Sequence, residues 1–240
     1  MPRIWSDKPE IHAAFITREI EPKGLHFTSV TNLPDESAEY KALESNRRIV
    51  AEYLSHPNIG LCMGKQIHGK RVAYVRKAGL SEATDGLVTD QPGLAVGVLV
   101  ADCAAVLFAD PVNKIVGAVH SGWRGAVSGI LQEAVRQMEK IGAEPDLMQV
   151  YISPCISQSS FEVGEEVASQ FSERHVDRSR KKPHVDLRGF ILQELIKAGI
   201  SNEVIIRDEK CTMTHPETLH SHRRDGAKSG RMMGIIYLSD

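Results

Sequence analysis

Three residues of this 240-residue chain have the side chains needed to hold a metal ion or build a nucleophilic centre. They are His68 in Lys65-Gln66-Ile67-His68-Gly69, Cys103 in Ala101-Asp102-Cys103, and His120 at the head of His120-Ser121-Gly122-Trp123-Arg124-Gly125. Zinc accepts thiolate sulfur and imidazole nitrogen, and three protein ligands leave a fourth position open, as catalytic zinc sites do. Copper accepts the same donors and stands above zinc in the affinity order, but a multicopper oxidase needs more histidines than cluster here. Alternatively, Cys103 and His120 could serve as nucleophile and base of a metal-free amidase or deamidase. Asp102 stands inside an otherwise apolar run, where a carboxylate needs a partner. We expect it to orient His120 or an arginine, or to move protons.

The elements that must position these groups are strands. Ala95 to Val100 is almost continuously apolar, as a strand buried on both faces is, and Val106 to Phe108 continues the pattern. Asp110-Pro111 marks a turn, and Ile115 to Val119 reads as a second strand. Beyond Gly122 and Gly125, apolar residues recur at helical spacing from Val127 to Ile141. Residues 121–125 therefore form a strand-to-helix corner, and its N–H groups with Arg124 are the first candidates to hold an anion. Upstream, the patterns predict a strand and then an irregular loop over 11–33, followed by a helix over 36–54 with Asp35 as cap and Tyr40, Leu43, Val50 and Leu54 on one side. Short strands at 59–63 and 72–75 flank the turn bearing His68, and Asp85-Gly86 reads as an ordinary turn pair. Downstream come a strand at 149–152, helices at 165–171 and 189–198, the second started by Asp186, and strands at 204–207 and 234–238. Arg223 and Arg224, beside a turn, could grip a phosphate or anchor Asp102.

A net charge of −2 gives no electrostatic reason to expect nucleic-acid or membrane binding. No run of apolar residues is long enough to span a bilayer. The four cysteines are far apart and contain no CxxC, which excludes a zinc ribbon. With no apolar leader at residues 1–7, the chain is expected to be cytoplasmic with free thiols. No linker-like segment divides residues 1–240, so one domain is expected. The sequence leaves the oligomeric state open.

The joint presence of Gln66-Ile67-His68-Gly69, Ala83-Thr84-Asp85-Gly86, Ala101-Asp102-Cys103, Ala118–Gly125 and Ser221-His222-Arg223-Arg224-Asp225-Gly226 closely resembles the YfiH-like family, also called the laccase-domain or polyphenol-oxidase-like family. The resemblance runs from about residue 46 to 232. It implies an α+β fold, a single domain with mixed β-sheets and flanking helices, and zinc held by His68, Cys103 and His120. It further implies phosphorolysis of purine nucleosides (adenosine, inosine, guanosine, methylthioadenosine) with adenosine deaminase activity, so that the partners are a purine nucleoside and phosphate. Copper-dependent phenol oxidation and peptidoglycan editing also attach to the family. Asn32-Leu33 matches a family Asn-Leu pair and makes Asn32 a substrate-binding candidate with Arg124, Arg223 and Arg224. The chain departs from the pattern at Glu19-Ile20-Glu21, which replaces glycines after Thr17-Arg18, and at Val100, where threonine is usual.

Overall fold

The central strands of this chain are apolar on both sides because two sheets stack on one another and helices cover their outer faces. The computed structural model describes residues 10–31 and 33–239. In chain order its first half comprises β1 (Ile11–Ile16), α1 (Glu36–Leu54), β2 (Gly60–Gly64), β3 (Val72–Tyr74), β4 (Gly79–Ser81), β5 (Gly86–Thr89), β6 (Leu94–Val100), β7 (Ala104–Asp110) and β8 (Ile115–Ser121). The second half comprises α2 (Trp123–Val127), α3 (Ile130–Lys140), β9 (Gln149–Ile152), α4 (Glu165–Ala168), β10 (Val176–Asp177), β11 (His184–Val185), α5 (Leu187–Lys197), β12 (Ile205–Arg207), α6 (His222–Asp225) and β13 (Met232–Leu238). One large sheet has the order β1-β13-β6-β2-β4 and the other β12-β9-β7-β8-β5-β3, while β10 and β11 form a separate antiparallel pair. Both large sheets are mixed: β2 runs parallel to β4 and β6 while β13 is antiparallel to β6, and β7 is antiparallel to β8 while β3 and β5 are parallel. The fold is α+β, as the resemblance implies.

Alternation along β7 shows the layering. Ala104, Val106 and Phe108 pack with Leu131 and Ala134 of α3 and Leu195 of α5. Ala105, Leu107 and Ala109 pack with Val96, Val98 and Ile236 of the opposite sheet. The far face of that sheet, with Ala95, Leu99 and Ile235, meets Leu43 and Val50 of α1. Each buried aliphatic side chain contributes about 1.5–3 kcal/mol relative to exposure. The sheets approach closely: a Cβ on Gly234 of β13 would lie 2.5 Å from Cβ of Ala105 on β7.

Three local expectations are corrected. The helix expected from Val127 is interrupted, because Gly129 takes a left-handed conformation (φ 87°) between α2 and α3. The helix expected to reach Phe171 ends at Ala168. In α1, Tyr40 is 63% exposed, and the buried face is Ala42, Leu43, Asn46, Ile49 and Val50. Asn46 lies on that face because its side-chain amide both accepts from the Thr28 N–H (2.9 Å) and donates to the Thr28 carbonyl (2.8 Å). The expected caps are in place: Asp35 accepts from the Ala38 N–H and Asp186 from the Gly189 N–H.

The topology sets up the site. Strands β2, β4 and β6 are mutually parallel, so their carboxyl ends lie together. From those ends the chain crosses to the second sheet three times, through residues 65–71, 82–85 and 101–103. It returns to the first sheet through residues 208–231, which enter β13 at the same end because β13 is antiparallel to β6.

Candidate metal centre

His68 lies in the first crossing, Cys103 in the third, and His120 at the end of β8, which pairs with the start of β7. Their ligand atoms all lie within 4.8 Å of one another. The imidazoles of His68 and His120 meet edge to face, with centroids 4.8 Å apart. His120 is buried, Cys103 half-buried and His68 exposed, so the group is fixed on one side and open on the other. The backbone stands in the left-handed region at His68 (φ 62°) and Asp102 (φ 84°), a conformation that persists in non-glycine residues only where the surroundings impose it. Gly122 backs the cluster: a Cβ there would sit 2.7 Å from the Cys103 sulfur.

Asp85, in the second crossing, ties the group together. Its carboxylate has no exposed surface and accepts four hydrogen bonds. Oδ1 accepts from the His68 N–H (2.9 Å) and pairs with His120 Nδ1 (2.8 Å). Oδ2 accepts from the Ile67 N–H (3.1 Å) and the Gly69 N–H (2.8 Å). Burial pushes this carboxyl up, but the His120 imidazole and the N–H donors outweigh it and hold it below its ordinary value. With Nδ1–H donated to Asp85, His120 keeps Nε2 free as a ligand atom, the arrangement typical of metal-binding histidines. The His68 loop is held from its other side by Gln66, which donates to the Leu99 carbonyl (2.8 Å) and accepts from the Leu99 N–H (2.9 Å).

Asp102 does not hold His120. Its Oδ1 accepts from the Thr212 hydroxyl and its Oδ2 from the backbone N–H of Arg223, each at 2.6 Å. Of the roles expected for Asp102, orienting His120 is not met, while the contact with an arginine is, at the Arg223 backbone; the partner of His120 is Asp85, which reads in sequence as ordinary turn chemistry. A usable signal was present: Asp85 directly precedes Gly86-Leu87-Val88-Thr89, a strand with no exposed position.

Burial raises the Cys103 thiol, yet the imidazole charges of His120 and His68 and their hydrogen bonds to sulfur bring it down to about 6. Burial lowers His120, while the Cys103 thiolate and the Asp85 carboxylate lift it to about 9. A thiolate and two imidazoles, one fixed by a carboxylate, fit zinc. No fourth protein ligand joins the three among the described residues.

The centre opens into a cavity of about 590 Å³ that also takes in Asp102, Trp123, Phe161, His222, Arg223 and Arg231. The arginines expected to bind substrate have different fates. Arg124 is exposed, stacks its guanidinium 4.4 Å over the Trp123 ring, and is absent from the cavity wall. Arg224 donates to the carbonyls of Thr212 and Leu219 and pairs with Asp225, so it braces the 212–225 loop. Arg223 lines the cavity. Asn32 lies outside the described residues. Arg231, which motif reading passed over, also lines the cavity.

Residues 12–239 match the family model described as multi-copper polyphenol oxidoreductase laccase. A purine nucleoside phosphorylase of Deinococcus radiodurans is 33% identical over 211 residues, which cover 86% of this chain and 81% of that protein. An adenosine deaminase, RL5, from an unknown prokaryotic organism is 34% identical over 196 residues, 74% of each chain. The crystal structure of a Bacillus licheniformis hypothetical protein, YfiH, superposes with a TM-score of 0.82 at 27% identity, covering 98% of this chain and 94% of that one.

Proposed function

The chain belongs to the multi-copper polyphenol oxidoreductase laccase family, and on that premise we propose that it is a metal-dependent enzyme of purine nucleosides. Its reactions are phosphorolysis of adenosine and related nucleosides, and deamination of adenosine. The observation that carries this proposal is the convergence of His68, Cys103 and His120, locked by Asp85, at an open cavity large enough for a nucleoside. The names of the two curated relatives supply the substrate class.

Zinc held by His68, Cys103 and His120 would supply a Lewis acid in the cavity. The chain's own groups do the rest. In phosphorolysis a phosphate oxygen bonds to the ribose anomeric carbon as the bond to the purine nitrogen breaks. The leaving purine takes up a proton, giving free base and ribose 1-phosphate. In deamination water adds to the purine carbon bearing the amine, and ammonia departs with the proton transferred to it. Asp102, whose oxygens each hold one donor and keep a second lone pair, lines the cavity where it could relay these protons. Trp123 and Phe161 give the cavity wall aromatic surface against which a base can pack.

The low pKa of Cys103 also supports a second reading, a thiol hydrolase with Cys103 as nucleophile and His120 as base. His68→Ala separates the two, since it removes a metal ligand but leaves a thiol enzyme its nucleophile and base, so the thiol enzyme should tolerate the change better than the metal enzyme. The direct test incubates zinc-loaded protein with adenosine, with and without phosphate, beside Cys103→Ala. Adenine and ribose 1-phosphate formed only with phosphate, inosine formed without it, and loss of both activities and of zinc in the variant are the expected outcomes. A fully zinc-loaded wild type that converts neither adenosine nor inosine overturns the proposal.

A further inference from the structure

The cavity has an excess of positive charge that the metal centre does not use. Among the described residues its lining contains one carboxylate, Asp102, and both oxygens of that group already hold donors from Thr212 and Arg223. Against it stand two guanidinium groups whose hydrogen bonds go to neutral carbonyls. Arg223 donates from Nη1 to the Glu162 carbonyl (2.8 Å), with its guanidinium carbon 5.7 Å from the centre of the Phe161 ring. Arg231 donates from Nη1 to the carbonyls of Ser229 (2.8 Å) and Gly230 (3.0 Å). Among the described residues neither joins an ion pair, whereas Arg224 is paired with Asp225.

Register places Arg231 beside the chemistry. Met232 of β13 pairs with Val100 of β6, so the preceding residue, Arg231, stands next to Ala101, two residues from Cys103. Its carbonyl contacts engage Nη1 alone and anchor the side chain, leaving Nε and Nη2 as an edge that can donate two parallel hydrogen bonds to an oxyanion.

We propose that Arg231, with Arg223, forms the phosphate subsite of the cavity, and that Arg231 is the residue that discriminates phosphate from water as co-substrate. This rests on the phosphorolytic reading above. Removing one bidentate guanidinium contact weakens oxyanion binding by about tenfold or more.

The test compares wild type, Arg231→Gln, Arg231→Lys and Arg124→Gln, all zinc-loaded. Phosphorolysis of adenosine is followed as phosphate is varied, and deamination is followed without phosphate. Binding of inorganic phosphate is measured separately by calorimetry. Arg231→Gln is expected to raise the phosphate KM about tenfold or more, with adenosine KM and deamination within about twofold of wild type. Arg231→Lys, which keeps the charge but not the planar fork, should fall between, and Arg124→Gln should match wild type. Preserved deamination also reports that the variant is folded. An unchanged phosphate KM, an equal rise in both KM values, or loss of deamination alongside phosphorolysis in both Arg231 variants overturns the proposal. Phosphate bound by wild type and not by Arg231→Gln, with no nucleoside turned over by either, would remove the phosphorolytic reading while supporting the anion subsite. Phosphate bound by neither would remove the subsite.

Discussion

Replacing Asp85 by asparagine keeps the shape of the side chain and removes half of its acceptors. The carboxylate accepts at both oxygens, two donors to each. An amide with its oxygen toward His68 and His120 turns its NH₂ against the Ile67 and Gly69 N–H groups, two donors facing donors. Turned the other way, it abandons the His68 N–H and forces His120 Nδ1 to accept, which moves the ring proton to Nε2, where a metal must bind. Either way at least one buried backbone donor is stranded and a second bond is lost or reversed. At about 1–3 kcal/mol per stranded group, and one or two groups stranded, the variant should lose about 1–6 kcal/mol of stability without metal, a large share of the about 5–15 kcal/mol typical of folded chains. Zinc affinity should fall about 10–100-fold, as when a carboxylate behind a ligating histidine is removed. Urea unfolding of the metal-free proteins reads the first quantity, and competition with a chromogenic chelator reads the second. Asp85→Asn with wild-type stability and wild-type zinc affinity would refute the assignment of Asp85 as the group that fixes both histidines.

In metal-free protein the rate of Cys103 alkylation by iodoacetamide should rise with pH to a half-maximum near the value of about 6 set by the neighbouring imidazoles, and zinc should block it; a half-maximum near that of an ordinary thiol contradicts the pairing. The depressed Cys103 pKa contributes stability above the ordinary thiol range that is lost as pH falls through about 6, and the raised His120 pKa contributes stability below the ordinary imidazole range that is lost as pH rises through about 9. The two contributions change in opposite directions across the same interval and offset, so the pair leaves the Tm of the metal-free protein nearly level from about pH 6 to about pH 9; a steep one-way change there would count against the ion pair. Gly122→Ala, which puts a methyl group 2.7 Å from the Cys103 sulfur, should displace the thiolate and reduce zinc content while far-ultraviolet circular dichroism stays native; full zinc occupancy in this variant would show that the backing at Gly122 is not needed.

Much of the architecture could be read from one dimension because burial on both faces leaves a mark there. The unbroken apolar runs around Val98, Leu107 and Val119 announced strands with no solvent face, and Asp35 and Asp186 announced helix starts, since a cap acts within three residues of itself. The chemical types of His68, Cys103 and His120 likewise named a donor set before any geometry was known. Tertiary structure alone decided which groups meet. Asp85 and His120 are 35 residues apart and Asp102 and Thr212 are 110 apart; they touch because parallel β2, β4 and β6 bring three crossings to one end of the sheets. The same end receives Arg231 through the register of β13 on β6. Four arginines and aspartates that look alike in sequence, Arg224, Arg231, Asp85 and Asp102, are sorted by what surrounds them: carbonyls consume Arg224, buried N–H donors claim Asp85, and the cavity wall exposes Arg231 and Asp102. Periodicity and capping record interactions within a few residues, whereas hydrogen-bond partners across two stacked sheets depend on pairing and register, which no local pattern encodes.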